Sequence, residues 1–140
     1  LARVNLAHAA LAVELVEASG LPAEPERFDL IVANPPYIAG EGGRTYRDGG
    51  DQLGAALSLE WAKAGVERLT PGGRFLLYTG SAIVEGRDGV RAALAELADT
   101  RGLSLDYEEI DPDVFGGMLV NEAYREAERI AVVGAMLTRP

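Results

Sequence analysis

The sequence predicts one α/β domain: an open sheet with helices on both faces and an antiparallel pair of strands at its C-terminal end. Three observations predict it. Short apolar runs bounded by glycine and proline, Phe28–Ala33 and Arg74–Thr79, read as buried strands. Amphipathic stretches of helical length, from Asp51 to about Leu69 and from Asp88 to Thr100, lie between and after them. Strand and helix then alternate along the chain, the order that builds strand–helix–strand units. A chain of 140 residues buries one proper core, and no repeat or low-complexity linker divides it.

Residues 1–11 place Leu1, Val4, Leu6, Ala7 and Leu11 among polar Arg3, Asn5 and His8, a helix-like spacing. Val13-Glu14-Leu15-Val16-Glu17 alternates apolar and polar as a short strand ending at Ser19-Gly20, and Pro22 and Pro25 mark a surface loop. Phe28–Ala33 is almost continuously apolar after one acid, which suits a strand buried on both faces. Residues 39–50 contain Gly40, Gly42, Gly43, Gly49 and Gly50, with Gly54 just beyond, and read as a long functional loop. Asp51 is the predicted cap of a helix whose apolar stripe is Leu53, Leu57, Trp61, Ala64 and Leu69.

Pro71-Gly72-Gly73 predicts a turn before the strand Arg74–Thr79. Val90, Leu94 and Leu97 share one face of the helix Asp88–Thr100, and Leu103–Ile110 alternates as a strand. A loop holding Asp111, Pro112, Asp113, Gly116 and Gly117 follows. Glu128–Leu137 closes the chain as an apolar strand with no helix-sized crossover before it, so the last two strands are expected to pair antiparallel.

Composition removes several classes of function. Cysteine is absent, which excludes disulfides and thiolate chemistry, and the single histidine, His8, excludes a multi-histidine metal cluster. No apolar run is long enough to span a bilayer and no basic, then apolar, leader opens the chain, so the expectation is a cytoplasmic protein away from membranes. A net charge of −9 with scattered arginines makes this portion a poor grip for a polyanion. The chain begins at Leu1 directly in helical sequence, and a longer protein is expected.

Asn34-Pro35-Pro36-Tyr37 follows the strand Phe28–Ala33 without a break. In an open α/β sheet, ligands bind at the carboxyl ends of strands. Twin prolines fix two backbone angles and remove two N–H donors, so that the prolines offer only carbonyl acceptors beside the Asn34 amide oxygen. A flat NH2 group can donate to the Asn34 amide oxygen and the Pro35 carbonyl together, while Tyr37 stacks on the planar group that carries it. Those acceptors stabilise the positive charge that grows on a nitrogen as it takes up a methyl group.

The run from Phe28 to Ile38 resembles motif IV of class I S-adenosylmethionine (SAM)-dependent N-methyltransferases, nearest the release-factor glutamine methyltransferases and the small-methyltransferase group. Leu69-Thr70-Pro71-Gly72-Gly73 resembles the family's turn before its fifth strand, and the closing strand pair its antiparallel edge. The resemblance implies a Rossmann-like class I methyltransferase sheet, SAM as cofactor, and a protein glutamine or nucleobase amine as acceptor. It implies Asn34, Pro35, Pro36 and Tyr37 as the catalytic set, with Ala18, Ser19 and Asn34 toward the cofactor. Ser19 stands where relatives carry an acid. The family's Asp/Glu-x-Gly-x-Gly cofactor loop is absent and is expected upstream, so residues 1–140 are expected to be the C-terminal portion of one domain, inactive alone. The two strands that would separate Val13–Gly20 from Phe28–Ala33 are then absent as well, leaving an apolar edge that an upstream segment or a second copy is expected to cover.

The competing reading is a non-catalytic scaffold of the same fold that has lost its cofactor. Tyr78-Thr79-Gly80-Ser81 reads equally as pocket lining or as packing, and Arg44, Tyr46 and Arg47 read as solvated loop residues or, second, as a grip on an acidic or planar substrate. His8, the pair Asp111 and Asp113, and the charged set Glu122, Arg125, Glu126, Glu128 and Arg129 read as solvated surface.

Overall fold

The computed structural model describes residues 2–18, 20–21, 26–39, 49–50 and 52–140. Its elements in chain order are α1 (Ala2–His8), β1 (Phe28–Ala33), α2 (Ala56–Val66), β2 (Leu69–Val84), β3 (Arg87–Asp88), α3 (Gly89–Arg101), β4 (Ser104–Asp111) and β5 (Arg129–Thr138). Two 3-10 turns, Gly116–Val120 and Glu122–Tyr124, lie between β4 and β5. The sheet runs β1-β2-β5-β4, with β3 hanging off β2.

β1 and β2 are parallel, from Phe28↔Leu69 to Ala33↔Leu77, and α2 makes the crossover that a parallel pair requires. β5 is antiparallel to both neighbours, with Arg74↔Thr138 to Ile83↔Arg129 on one side and Ser104↔Thr138 to Asp111↔Val132 on the other. This is the expected α/β sheet with its antiparallel pair. The Pro71-Gly72-Gly73 turn is an excursion inside β2: Phe28 pairs with Leu69 and Leu30 with Arg74, while Gly72 takes φ +76. Gly72 N–H donates to the Arg139 carbonyl and Arg139 N–H to that of Gly73, which closes the excursion.

Four expectations are corrected. Residues 13–17 form no strand; they are exposed, because no described strand lies beside them to complete a ladder. The helix after Asp51 starts at Ala56 and ends at Val66, with Leu69 already in β2. Its buried face is Ser58, Leu59, Ala62, Gly65 and Val66 rather than the predicted stripe, since small residues bring the helix close to the sheet. Gly65 lies so near Phe75 that an added Cβ would fall 2.4 Å from its ring.

The last correction concerns the faces. Among the described residues, α2 and α3 pack on the same face, over Ile31, Phe75, Leu77, Val133, Ala135 and Leu137. The opposite face is not covered by a described helix, and β1 is therefore not buried on both sides: Leu30 is 58% and Val32 65% exposed, with Leu76 and Tyr78 each at 41%. α1 buries none of its residues. No helix among the described residues is long and apolar enough to cross a membrane.

Polar groups inside the covered face are paired. The Ser58 and Thr79 hydroxyls meet at 2.6 Å and tie α2 to β2. Asp88 caps α3 by accepting from Arg91 N–H, and it also accepts from the Ser81 and Tyr107 hydroxyls, both at 2.6 Å. One carboxylate thus joins β2, α3 and β4. Burial first, and then the bond to Asp88, push the Tyr107 phenol up so that it stays protonated. Glu85 and Gly86, both at positive φ, make the tight hairpin between β2 and β3.

Candidate functional site

The β1–β2 ladder ends at Ala33↔Leu77, and Asn34 is the next residue. The prolines supply no N–H to extend the ladder, so the chain leaves the sheet here. Asn34 is exposed, Pro35 is fully buried, Pro36 and Tyr37 are half-buried, and Ile38 and Ala39 are buried. Asn34 therefore stands at the sheet rim while the prolines below it anchor the segment in the protein.

The Tyr37 ring lies over Gly80 of β2, where a Cβ would come within 2.5 Å of it. Gly54, at φ +87, presses equally close to the Tyr37 carbonyl, and Gly49 N–H donates to the Ile38 carbonyl at 2.9 Å. The Phe115 ring faces that of Tyr37 at 6.0 Å between centroids, tilted by 53°. Burial, followed by the neighbouring Tyr78 phenol, raises the pKa of Tyr37, which keeps its hydroxyl neutral.

Residues 34–38 line a cavity of about 280 Å³ whose far wall is Phe115 and Met118. It has the walls expected of a small planar ligand site: apolar and aromatic surface with few polar groups at one end. A second cavity, about 450 Å³, lies beside β1, the outermost of the described strands, between Leu21 and Trp61, with Glu60 and Arg68 as its charged groups. The smaller cavity is the one that holds the chemistry-bearing residues.

Of the other candidates, Gly80 supports Tyr37, while Thr79 and Ser81 are buried and engaged with Ser58 and Asp88. Tyr78 lies on the uncovered face. Ala18 is exposed and lines neither of these cavities. Ser19, Arg44, Tyr46, Arg47 and Asp51 lie outside the described residues. Asp111 accepts from Asp113 N–H and so closes a loop, and Arg125 bonds Glu122 on the surface. The sequence reading missed Phe115 and Met118. Their signal was a cluster of large apolar residues, Phe115, Met118 and Leu119, in a stretch otherwise read as polar loop.

The fold is that of a Rossmann-like methyltransferase sheet: a methyltransferase from Pyrococcus furiosus superposes with a TM-score of 0.59, at 19% identity, over 99% of this chain and 55% of its own. In sequence the chain is homologous to the release factor glutamine methyltransferase of Cereibacter sphaeroides, with 36% identity over 105 residues, 66% of this chain and 34% of that protein. The chain spans about a third of that relative's length. No family model matches it.

Proposed function

We propose that this chain carries the acceptor half of a SAM-dependent N-methyltransferase, and that Asn34, Pro35, Pro36 and Tyr37 hold the amino group that is methylated. The observation that carries the reading is an exposed Asn34 at the carboxyl end of β1, over a cavity walled by Tyr37 and Phe115. The Asn34 amide oxygen and the Pro35 carbonyl accept from the two N–H groups, turning the nitrogen lone pair toward the donor. SAM, when bound, supplies an electrophilic methyl group on sulfur. Asn34 and Pro35 would hold the nitrogen as it accepts that methyl group from sulfur, and the extra proton on nitrogen would pass to water. Neutral Tyr37 orients the planar group without adding negative charge. Catalysis on this account is positioning and electrostatics, with no strong base required.

A protein glutamine is the acceptor we favour. The relative's name points to that substrate, and a net charge of −9 opposes the approach of a nucleic acid. Residues 1–140 fit the role of the C-terminal portion of one methyltransferase domain. Asn34 is the described candidate for touching the donor, and Ala18 and Ser19 are assigned to the adenine side. Among the described residues, the edge of β1 and the face bearing Leu30, Val32, Leu76 and Tyr78 are left open, which suits an upstream strand and helix bearing the glycine-rich loop.

The test is Asn34→Ala in the full-length protein, offered a glutamine peptide or an oligonucleotide. Methyl transfer is expected to fall about 100-fold or more while SAM affinity changes less than about threefold. Unchanged turnover removes Asn34 from the mechanism.

A further inference from the structure

We infer that Tyr124 is a positioning residue for the amine pocket: its hydroxyl fixes where the Asn34–Tyr37 segment presents its acceptors. The inference rests on the methyl-transfer reading above. Tyr124 is buried, and its hydroxyl oxygen accepts a 2.7 Å hydrogen bond from the Ala39 N–H, 85 residues away in sequence. Ala39 lies two residues past Tyr37 and is itself buried.

The bond matters because of what the prolines remove. Beyond Ala33↔Leu77 the chain has no ladder to β2, and Pro35 and Pro36 have no N–H with which to build one. Past the prolines, the backbone is fastened by Gly49 N–H on the Ile38 carbonyl and by Ala39 N–H on Tyr124. Tyr124 is held in turn, its N–H donating to the Asn121 carbonyl and its carbonyl accepting from Ala127. The same connection between β4 and β5 carries Phe115 and Met118, so one segment both walls the cavity and pins the strand exit. A tyrosine serving only to fill the core needs no hydroxyl, whereas this one aims its oxygen at the segment that presents Asn34. Misplacement of reacting groups by about 1 Å can cost about 100-fold in rate, so a pin at this point bears on turnover.

The experiment is Tyr124→Phe in the full-length protein, which keeps the ring and deletes the oxygen. Four quantities are read: hydrogen exchange at the Ala39 amide, kcat/KM for the acceptor peptide, SAM affinity and melting temperature. The Ala39 amide is expected to exchange about tenfold faster or more, with the β2–β5 amides unchanged. Acceptor kcat/KM is expected to fall about 10- to 100-fold, with SAM affinity within about twofold. Unchanged Ala39 exchange overturns the inference, as does acceptor kcat/KM within about twofold of wild type. Global unfolding of the variant overturns it as well, because the bond would then serve overall stability. If the wild-type protein methylates neither peptide nor oligonucleotide, the methyl-transfer reading itself falls and takes this inference with it; a failure confined to the variant leaves that reading standing.

Discussion

The two faces of the sheet carry similar side chains and meet different fates. On one, Phe75, Leu77, Val133 and Leu137 are sealed beneath α2 and α3. On the other, Leu76 and Tyr78 alternate with them along the same strand and remain 41% exposed, while Leu30 and Val32 on β1 are more open still. A strand's alternation writes the polarity of each face but does not say which element will cover it. Here both faces are written apolar, and among the described residues cover on the second is supplied only toward one end. There the segment with Phe115, Met118 and Tyr124 packs on Tyr37, Ala82 and Ile130. The candidate pocket lies in that covered corner.

Three substitutions test the contrast, read by urea unfolding. Phe75→Ala, in the sealed face, is expected to cost about 3–5 kcal/mol, because lost transfer energy and a residual cavity add. Gly65→Ala comes next. Alanine in a helix gains about 1 kcal/mol over glycine, but overpacking against the Phe75 ring costs about 1–3 kcal/mol. A net loss of up to about 2 kcal/mol is expected, and a gain would mean that the helix–sheet contact is looser than its geometry. Val32→Thr, on the open face, should change stability by about 0.5 kcal/mol or less in residues 1–140. A markedly larger penalty in the full-length protein would show that an upstream segment covers this face.

The parallel pairing of β1 with β2 and the antiparallel pairing of β4 with β5 were legible because local signals agreed with them: an apolar run before Asn34, a Pro-Gly-Gly excursion, and a last strand with no crossover before it. Asn34 was legible for the same reason, since position at a strand's carboxyl end follows from the strand. The phase of α2 was not. Alanine, serine and glycine carry little hydropathy, yet at Ser58, Ala62 and Gly65 smallness decides which side approaches the sheet. Val13–Glu17 had the alternation of a strand but no described neighbour with which to pair. Phe115, Met118 and Tyr124 were not singled out because their relation to Tyr37 and Ala39 is wholly long-range.

β5, ending at Thr138, lies between β2 and β4 rather than at the rim. On a ribosome, β2 and β4 emerge first and are joined in the sheet only once β5 has cleared the exit tunnel. The sheet therefore closes only after β5 has emerged, and a premature stop before Arg129 leaves two strand edges apart. Such products are expected to be insoluble or rapidly degraded, which couples the integrity of the reading frame to the existence of the candidate pocket.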